Sequence, residues 1–87
     1  MIIENFKNGD AKPVYRRFSE KGRLASDDLK YISSWVDETM SKCFQVMETD
    51  DRKLIEQWME NWKDLVDFEI YPVMTSAAAF EKVKPYL

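Results

Sequence analysis

Five side chains in predicted strands combine an apolar body with a polar group that could contact a ligand. They are Tyr31, Trp35, Gln45, Glu69 and Tyr71. A phenol can orient a ligand or donate a proton, a carboxylate can act as a general base, and an amide can both donate to and accept from a bound carbonyl. An indole can form the flat wall of a pocket. We therefore take all five as candidate ligand-binding residues, and Tyr31, Glu69 and Tyr71 as candidate catalytic residues.

Packing is the alternative role for these side chains. Aromatic residues in strands commonly fill a core or an interface, so the same five could line a contact between two chains instead of a pocket. The strand carboxylates are equally open to two interpretations. A close pair among Glu4, Glu48 and Glu69 could share a proton as general acid and base, whereas solvated edge positions would leave them without that role.

The composition excludes several common catalytic devices. The chain has no histidine, which removes the commonest general base, the commonest metal ligand and any Ser-His or Cys-His pair. Its single cysteine, Cys43, lies in an apolar run, which is typical of a small buried hydrophobe. Asp50 and Asp51 precede a predicted helix and are expected to cap it. We therefore expect no metal site and no cofactor.

The charge balance limits the class of partner. The 87 residues carry 13 Lys and Arg against 16 Asp and Glu, for a net charge of -3. Phosphate contacts supply most sequence-independent nucleic-acid affinity, so we expect no nucleic-acid binding. No apolar stretch approaches the roughly 20 residues that cross a bilayer, so no membrane association is expected. The lone cysteine and the absence of a signal-peptide pattern at the N-terminus predict a cytoplasmic protein.

One part of this acidic chain is locally basic. This part is the region of the first predicted helix. Its basic residues are Lys12, Arg16, Arg17, Lys21 and Arg23. Such a cluster could receive an anionic ligand or an acidic partner, and a solvated helix face explains it equally well.

The first half of the chain is predicted to form a strand, a helix and a second strand. The apolar residues Ile2, Ile3 and Phe6 indicate a short strand from Ile2 to Phe6, closed by the turn-forming Asn8-Gly9-Asp10. Helical spacing predicts a helix over residues 11 to 22, with Asp10 as its cap and Gly22 as its stop. Residues 29 to 36 are rich in β-branched and aromatic side chains and indicate the second strand.

The second half continues with a strand, a helix, a strand and a short helix. Residues 43 to 47 complete a hairpin with the preceding strand. The apolar stripe from Leu54 to Trp62 predicts a helix, and residues 66 to 70 alternate as a half-buried strand does. Thr75 or Ser76 is expected to cap a last helix over residues 77 to 83.

This order predicts one α+β domain over residues 1–87. It is the β-α-β-β-α-β pattern of ferredoxin-like folds, with a four-stranded antiparallel sheet and an added C-terminal helix. If odd-numbered residues share one sheet face, that face holds the five candidates, and the even face holds apolar residues such as Phe44 and Val46. Two helices can cover only one of these faces. We therefore expect a homodimer through the other face.

Segments spread over nearly the whole chain carry a family resemblance. They are Glu4-Asn5-Phe6-Lys7-Asn8-Gly9-Asp10, Pro13-Val14-Tyr15, Arg17-Phe18, Gly22-Arg23, Ser34-Trp35-Val36-Asp37, Cys43-Phe44-Gln45-Val46-Met47-Glu48-Thr49, Trp58 with Trp62, Asp67-Phe68-Glu69, Pro72-Val73 and Thr75-Ser76. Together they resemble a bacterial family known as domain of unknown function 3303. The resemblance implies a dimeric α+β barrel, in which two ferredoxin-like protomers pack sheet against sheet. It implies no catalytic residues.

These observations predict an uncharacterised bacterial homodimer that binds a small aromatic or carbonyl-containing molecule, or that acts as an accessory protein. One alternative is a cofactor-independent enzyme of the monooxygenase or isomerase type, using Tyr, Trp and carboxylate groups. Another is a protein-interaction module that uses the basic first helix. A cavity of roughly 300 Å³ that contacts at least three of the five candidates would favour a site. Their complete burial against a partner would favour an interface.

Overall fold

The computed structural model describes residues 1–87 and has the predicted α+β architecture. Its elements are β1 (Ile2–Phe6), α1 (Lys12–Lys21), β2 (Lys30–Val36), β3 (Lys42–Glu48), α2 (Arg52–Glu60), β4 (Val66–Ile70) and α3 (Ser76–Val83), with short 3-10 helices at Lys7–Gly9 and Lys84–Tyr86. The strands form one antiparallel sheet in the order β2-β3-β1-β4. The ferredoxin-like topology with an added C-terminal helix is thus confirmed.

Side-chain oxygens cap the first turns of α2 and α3, as the sequence predicts, whereas the capping residue of α1 differs from the predicted one. Asp51 accepts a hydrogen bond from the Lys53 amide at 2.9 Å at the start of α2, and Thr75 accepts one from the Ala78 amide at 3.0 Å at the start of α3. In α1 the capping position is taken by Ala11. Asp10, the predicted cap, lies one residue earlier, and its carboxylate accepts a hydrogen bond from the Lys12 amide at 3.0 Å.

The pairing register separates side chains that the sequence predicts on one face. Cys43 lies opposite Glu4, which in turn lies opposite Phe68. Odd positions of β3 therefore share a face with even positions of β1 and β4. A register shift between Tyr31 and Ser33 changes the parity within β2 as well. The prediction that odd residues of all strands share a face is therefore wrong.

The two faces of the sheet have different surroundings. The inner face packs against α1 and α2, and its buried residues in β1 are Ile2, Glu4 and Phe6. The outer face has no helix over it, and on it Trp35 lies opposite Phe44, Phe44 opposite Ile3, and Ile3 opposite Glu69. Phe44 and Val46, predicted as core, lie on this outer face because of the register.

The core lies between the inner face and the two helices. Trp58 and Trp62 are 3% and 4% exposed, and they pack with Ile2, Phe6 and Val66. Trp58 also meets Phe68 edge to face, with ring centroids 5.3 Å apart. Burying two indoles contributes much of the apolar area removed from water in this small domain.

The C-terminal segment lies outside this core. Every side chain from Tyr71 to Leu87 is exposed, including those of Phe80 and Val83 in α3. The molecule correspondingly measures 48 × 29 × 17 Å. The structure contains no helix with the length and apolarity that a membrane crossing requires.

Candidate functional site

A cavity of about 210 Å³ opens between the inner face of the sheet and helices α1 and α2. We call it the inner cavity. Its apolar walls are Phe6, Val14, Tyr15, Phe18, Val36, Trp58 and Trp62, and its polar or thiol groups are Glu4, Arg23, Ser34, Cys43 and Gln45. Apolar walls with a few converging polar groups are the usual composition of a small-molecule site.

Strand pairing places four of the polar groups in two neighbouring rows on the inner face. Glu4 on β1 lies opposite Cys43 on β3. In the next row, Gln45 on β3 lies opposite Ser34 on β2. Because side chains two residues apart on a strand share a face, Cys43 and Gln45 both point towards the helices. The central strands thereby form a polar floor beneath aromatic walls.

Arg23 enters the cavity from the loop that follows α1. Gly22 ends that helix with a φ of 72°, a conformation that favours glycine, and turns the chain towards the sheet. The carbonyl oxygen of Arg23 accepts hydrogen bonds from the indole nitrogens of Trp58 at 3.1 Å and Trp62 at 2.9 Å. Trp58 in α2 and Trp62, two residues beyond the end of that helix, thus hold the loop in place.

The Arg23 side chain is held by aromatic rings instead of a carboxylate. Its guanidinium carbon lies 3.6 Å from the centroid of the Tyr31 ring and 5.4 Å from that of Phe18. Arg23 forms none of the ion pairs in the protein. Its positive charge is therefore available to an anionic group in the cavity.

Two buried donor atoms at the cavity have no hydrogen-bond partner within the protein. They are Nε of Arg23 and Nε2 of Gln45. A buried donor without an acceptor costs about 1–3 kcal/mol, so such atoms are uncommon in folded proteins. Because both residues line the cavity, a rotation of either side chain would bring its donor to an acceptor atom bound there, such as a carbonyl or carboxylate oxygen.

Glu4 is a buried carboxyl group at the same cavity, with a side chain in the centre of the sheet. Burial raises its pKa above the ordinary value, while contact with the Cys43 thiol and the positive charge of Arg23 act in the opposite direction. Burial also raises the pKa of Cys43 to about 12, and the nearby Glu4 adds to that shift. The Cys43 side chain is buried, as its apolar surroundings in the sequence predict.

The family comparison covers the whole chain. The family described as Domain of unknown function (DUF3303) matches residues 1–87. The chain belongs to this family. Comparison with curated proteins and with solved structures gave no match.

Of the five candidates, only Gln45 lines the inner cavity of this DUF3303 protein. Tyr31 lies beside it, under Arg23, and its hydroxyl is 2.7 Å from the Ser34 hydroxyl. The inner cavity therefore contacts one of the five, fewer than the three that would favour a site made of these residues. Their individual roles as ligand-binding or catalytic residues stay predictions.

The remaining three candidates lie away from the inner cavity. Glu69 on the outer face accepts hydrogen bonds from the Asn5 amide at 2.9 Å and from the Tyr71 hydroxyl at 3.1 Å, and these bonds lower its pKa. Trp35 is 57% exposed. Since Glu4 is on the inner face, Glu69 and Glu4 do not form the carboxylate pair that the sequence left open.

Most basic side chains of the α1 region either form an ion pair within the protein or are exposed to solvent. Arg17 donates two hydrogen bonds of 2.7 Å to the Asp64 carboxylate and lies 5.5 Å from the centroid of the Trp62 ring. Lys12, Arg16 and Lys21 are exposed. Only Arg23 of this cluster reaches the cavity.

The sequence predicts Glu4 only as one of three strand carboxylates and Arg23 only as part of the basic region, and it places neither of them with Gln45 in one site. The signal for Glu4 was its place between Ile2 and Phe6, because every second residue of a strand shares a face. Arg23 follows the helix stop Gly22, but nothing in the sequence indicates that its side chain turns inwards. No group of three or more His, Cys, Asp or Glu side chains in the structure could hold a metal ion.

Proposed function

We propose that this protein binds a small molecule in the inner cavity, and that the ligand has a flat apolar body and a carbonyl or carboxylate group. The observation that carries the proposal is the pair of buried, unpaired donors, Arg23 Nε and Gln45 Nε2, on two residues of a cavity with aromatic walls. An oxygen of the ligand would accept from these donors, and its apolar body would contact Trp58, Trp62 and Phe6. The guanidinium favours a ligand with negative charge.

The cavity volume limits the size of the ligand. About 210 Å³ is below the 300–1,000 Å³ typical of pockets for drug-sized ligands and corresponds to about seven water molecules in the liquid. A compound with one aromatic ring and one short acidic side chain fits this limit. Nucleotides and larger cofactors do not.

Tryptophan fluorescence provides a direct test. Trp58 and Trp62 line the cavity, so a bound aromatic acid should change their emission, and Trp35→Phe removes the background of the exposed indole. We would titrate this variant with aromatic carboxylates and aromatic ketones. We expect saturable quenching by at least one of these classes.

A matched pair of substitutions links binding to the unpaired donor. Gln45→Leu removes the cavity amide, and Gln57→Leu makes the same change on the exposed surface of α2. Losing one buried hydrogen bond should weaken binding roughly 5- to 150-fold in Gln45→Leu. Equal affinities in the two variants would contradict the proposal, as would the absence of saturable binding by both compound classes.

A cofactor-independent enzyme is a second candidate function, and the buried Glu4 carboxyl favours it. Carboxyl groups with a raised pKa in apolar sites are common among catalytic acids and bases. Here Glu4 shares the cavity with the two unpaired donors.

We further propose a homodimer through the outer face, as in a dimeric α+β barrel. Ile32 and Trp35 are 45% and 57% exposed on the uncovered side of β2, and the outer face continues with Phe44 and Val46. A groove of about 1000 Å³ between the sheet and the C-terminal segment adds further exposed apolar surface. Large exposed apolar patches are typical of interaction surfaces.

Light scattering tests the dimer. We expect the mass of two chains at micromolar concentration, and we expect Trp35→Asp to shift the protein to a single-chain mass because it places a charge within the interface. Gln57→Asp, which adds the same charge on exposed α2, should stay dimeric. A monomeric wild-type protein would contradict the proposal.

A further inference from the structure

We propose that Glu4 is the proton-transferring residue of the inner cavity, and that its substrates are 2-oxo acids with a flat apolar group. The reaction would be keto–enol interconversion at the carbon next to the keto group. The inference rests on the proposed binding function and adds a substrate class and a reaction to it.

The placement of Glu4 is the first argument. It is 7% exposed on the inner face and lines the cavity, although no cationic side chain pairs with it in an ion pair. A carboxyl group that is buried against an apolar cavity is costly for a fold to retain. Among the groups at the cavity it is the one suited to accept and return a proton, because burial raises the pKa of the Cys43 thiol to about 12 and also raises the pKa of Tyr15.

The arrangement of donors is the second argument, because a 2-oxo acid carries two adjacent acceptor groups. Its carboxylate matches the charge and planar donors of Arg23. Its keto oxygen matches the amide donor of Gln45, which lies on the strand position two residues from the one opposite Glu4. Residues in this diagonal relationship are about 7–8 Å apart at their Cα atoms, which leaves space for a small substrate between the side chains.

The proton transfer balances without a cofactor. The Glu4 carboxylate removes a proton from the carbon next to the keto group, and the electrons of that C–H bond form a carbon–carbon double bond. The carbonyl π electrons move to oxygen, where the negative charge is stabilised by the Gln45 and Arg23 donors. Glu4 then returns its proton to the oxygen to give the enol, or to the carbon in the reverse direction. No oxidant or reductant is required.

Hydrogen exchange in phenylpyruvate tests the step. In D₂O, proton transfer at carbon 3 replaces hydrogen by deuterium, which NMR follows directly. We expect the wild-type protein to accelerate this exchange above the buffer rate. We expect Glu4→Gln to reduce the acceleration by roughly 10²- to 10⁴-fold, the usual contribution of a general base, and the exposed Glu48→Gln to retain it.

Parallel binding measurements separate the two proposals. In the Trp35→Phe background, Glu4→Gln should still bind phenylpyruvate, which would also show that its cavity is intact. Binding with equal exchange in wild type and Glu4→Gln would overturn the catalytic inference and leave ligand binding standing. Wild-type protein without exchange above buffer would overturn the inference, whether or not it binds the probe.

If Glu4→Gln does not fold, Glu4→Asp is the alternative variant, because it retains the carboxyl group on a side chain that is one methylene shorter. It should lower exchange more than binding, and unchanged exchange in that variant would contradict a positioned base.

Discussion

The indole nitrogen of Trp62 donates a hydrogen bond of 2.9 Å to the carbonyl oxygen of Arg23, 39 residues earlier in the chain. Trp58 donates to the same oxygen. The apolar stripe that packs α2 onto the sheet therefore also fixes the loop that carries the cavity's positive charge. Core packing and site geometry depend on the same two side chains.

This relationship predicts the effect of Trp62→Phe. The variant keeps an aromatic ring but loses the donor, so the free energy of unfolding should fall by about 1–3 kcal/mol from the lost hydrogen bond and contacts. The released loop should also weaken binding of an aromatic acid in the inner cavity. Urea denaturation measures the first effect and ligand titration the second. Trp35→Phe on the outer face is the matched control, and equal losses in both variants would contradict the proposed role of the hydrogen bond.

Gly22 gives a second test of the same loop. Its φ of 72° and ψ of -159° lie in a region that residues with a side chain rarely adopt, while an added Cβ would meet no atom within 4 Å. Gly22→Ala should therefore lower the free energy of unfolding by about 1–3 kcal/mol through backbone strain alone. Lys21→Ala, one residue earlier on an exposed helix position, should be nearly neutral. An equally stable Gly22→Ala protein would show that the loop adopts another conformation.

Asp37 should make the hairpin between β2 and β3 sensitive to acid. Its carboxylate accepts hydrogen bonds from the Thr39 hydroxyl and from the amides of Ser41 and Lys42, both at 2.9 Å, and these lower its pKa to about 2. Because the folded-state pKa is lowered, the stabilisation is present above the ordinary value of 3.8. It is lost as the pH falls towards 2.

The corresponding variant is Asp37→Asn. It should lower Tm at pH 7, and the difference from wild type should shrink steadily between pH 4 and pH 2, as measured by thermal denaturation at a series of pH values. Glu38→Gln, at the next and exposed position, is the control without this pH dependence. A Tm difference that stays constant down to pH 2 would contradict the assignment.

The sequence predicts the elements of this fold better than its site. Apolar periodicity and capping residues act locally, so the strands, the helices and the Thr75 and Asp51 caps could be identified from neighbouring residues. The register depends on pairing between distant strands and on the irregularity between Tyr31 and Ser33, which no local pattern indicates. The inner and outer faces could therefore not be assigned from parity.

The composition of the site depends on the same long-range information. Gln45 was identified because its amide is suited to bind a carbonyl, and it does line the cavity. The sequence shows Glu4 only as one of three strand carboxylates. Its burial follows from the central position of β1 in the sheet, which the local sequence does not indicate. The position of Arg23 depends on the hydrogen bonds from Trp58 and Trp62, which connect residues far apart in the chain.

Alkylation of Cys43 tests the electrostatic coupling between the two facing residues of β1 and β3. With a pKa of about 12, the thiolate fraction at pH 8 is on the order of 10³-fold lower than that of a free cysteine, whose pKa is about 8.5. Iodoacetamide should therefore modify the native protein at least 10³-fold more slowly than the urea-unfolded chain, as followed by mass spectrometry.

The variant Glu4→Gln removes the negative charge opposite the Cys43 thiol, so alkylation of the native variant should be faster than alkylation of the native wild-type protein. Glu48→Gln, at the exposed end of β3, should leave the rate unchanged. Faster alkylation in Glu4→Gln together with unchanged stability would assign the effect to charge, whereas equal native rates in all three proteins would contradict the coupling of Glu4 to Cys43.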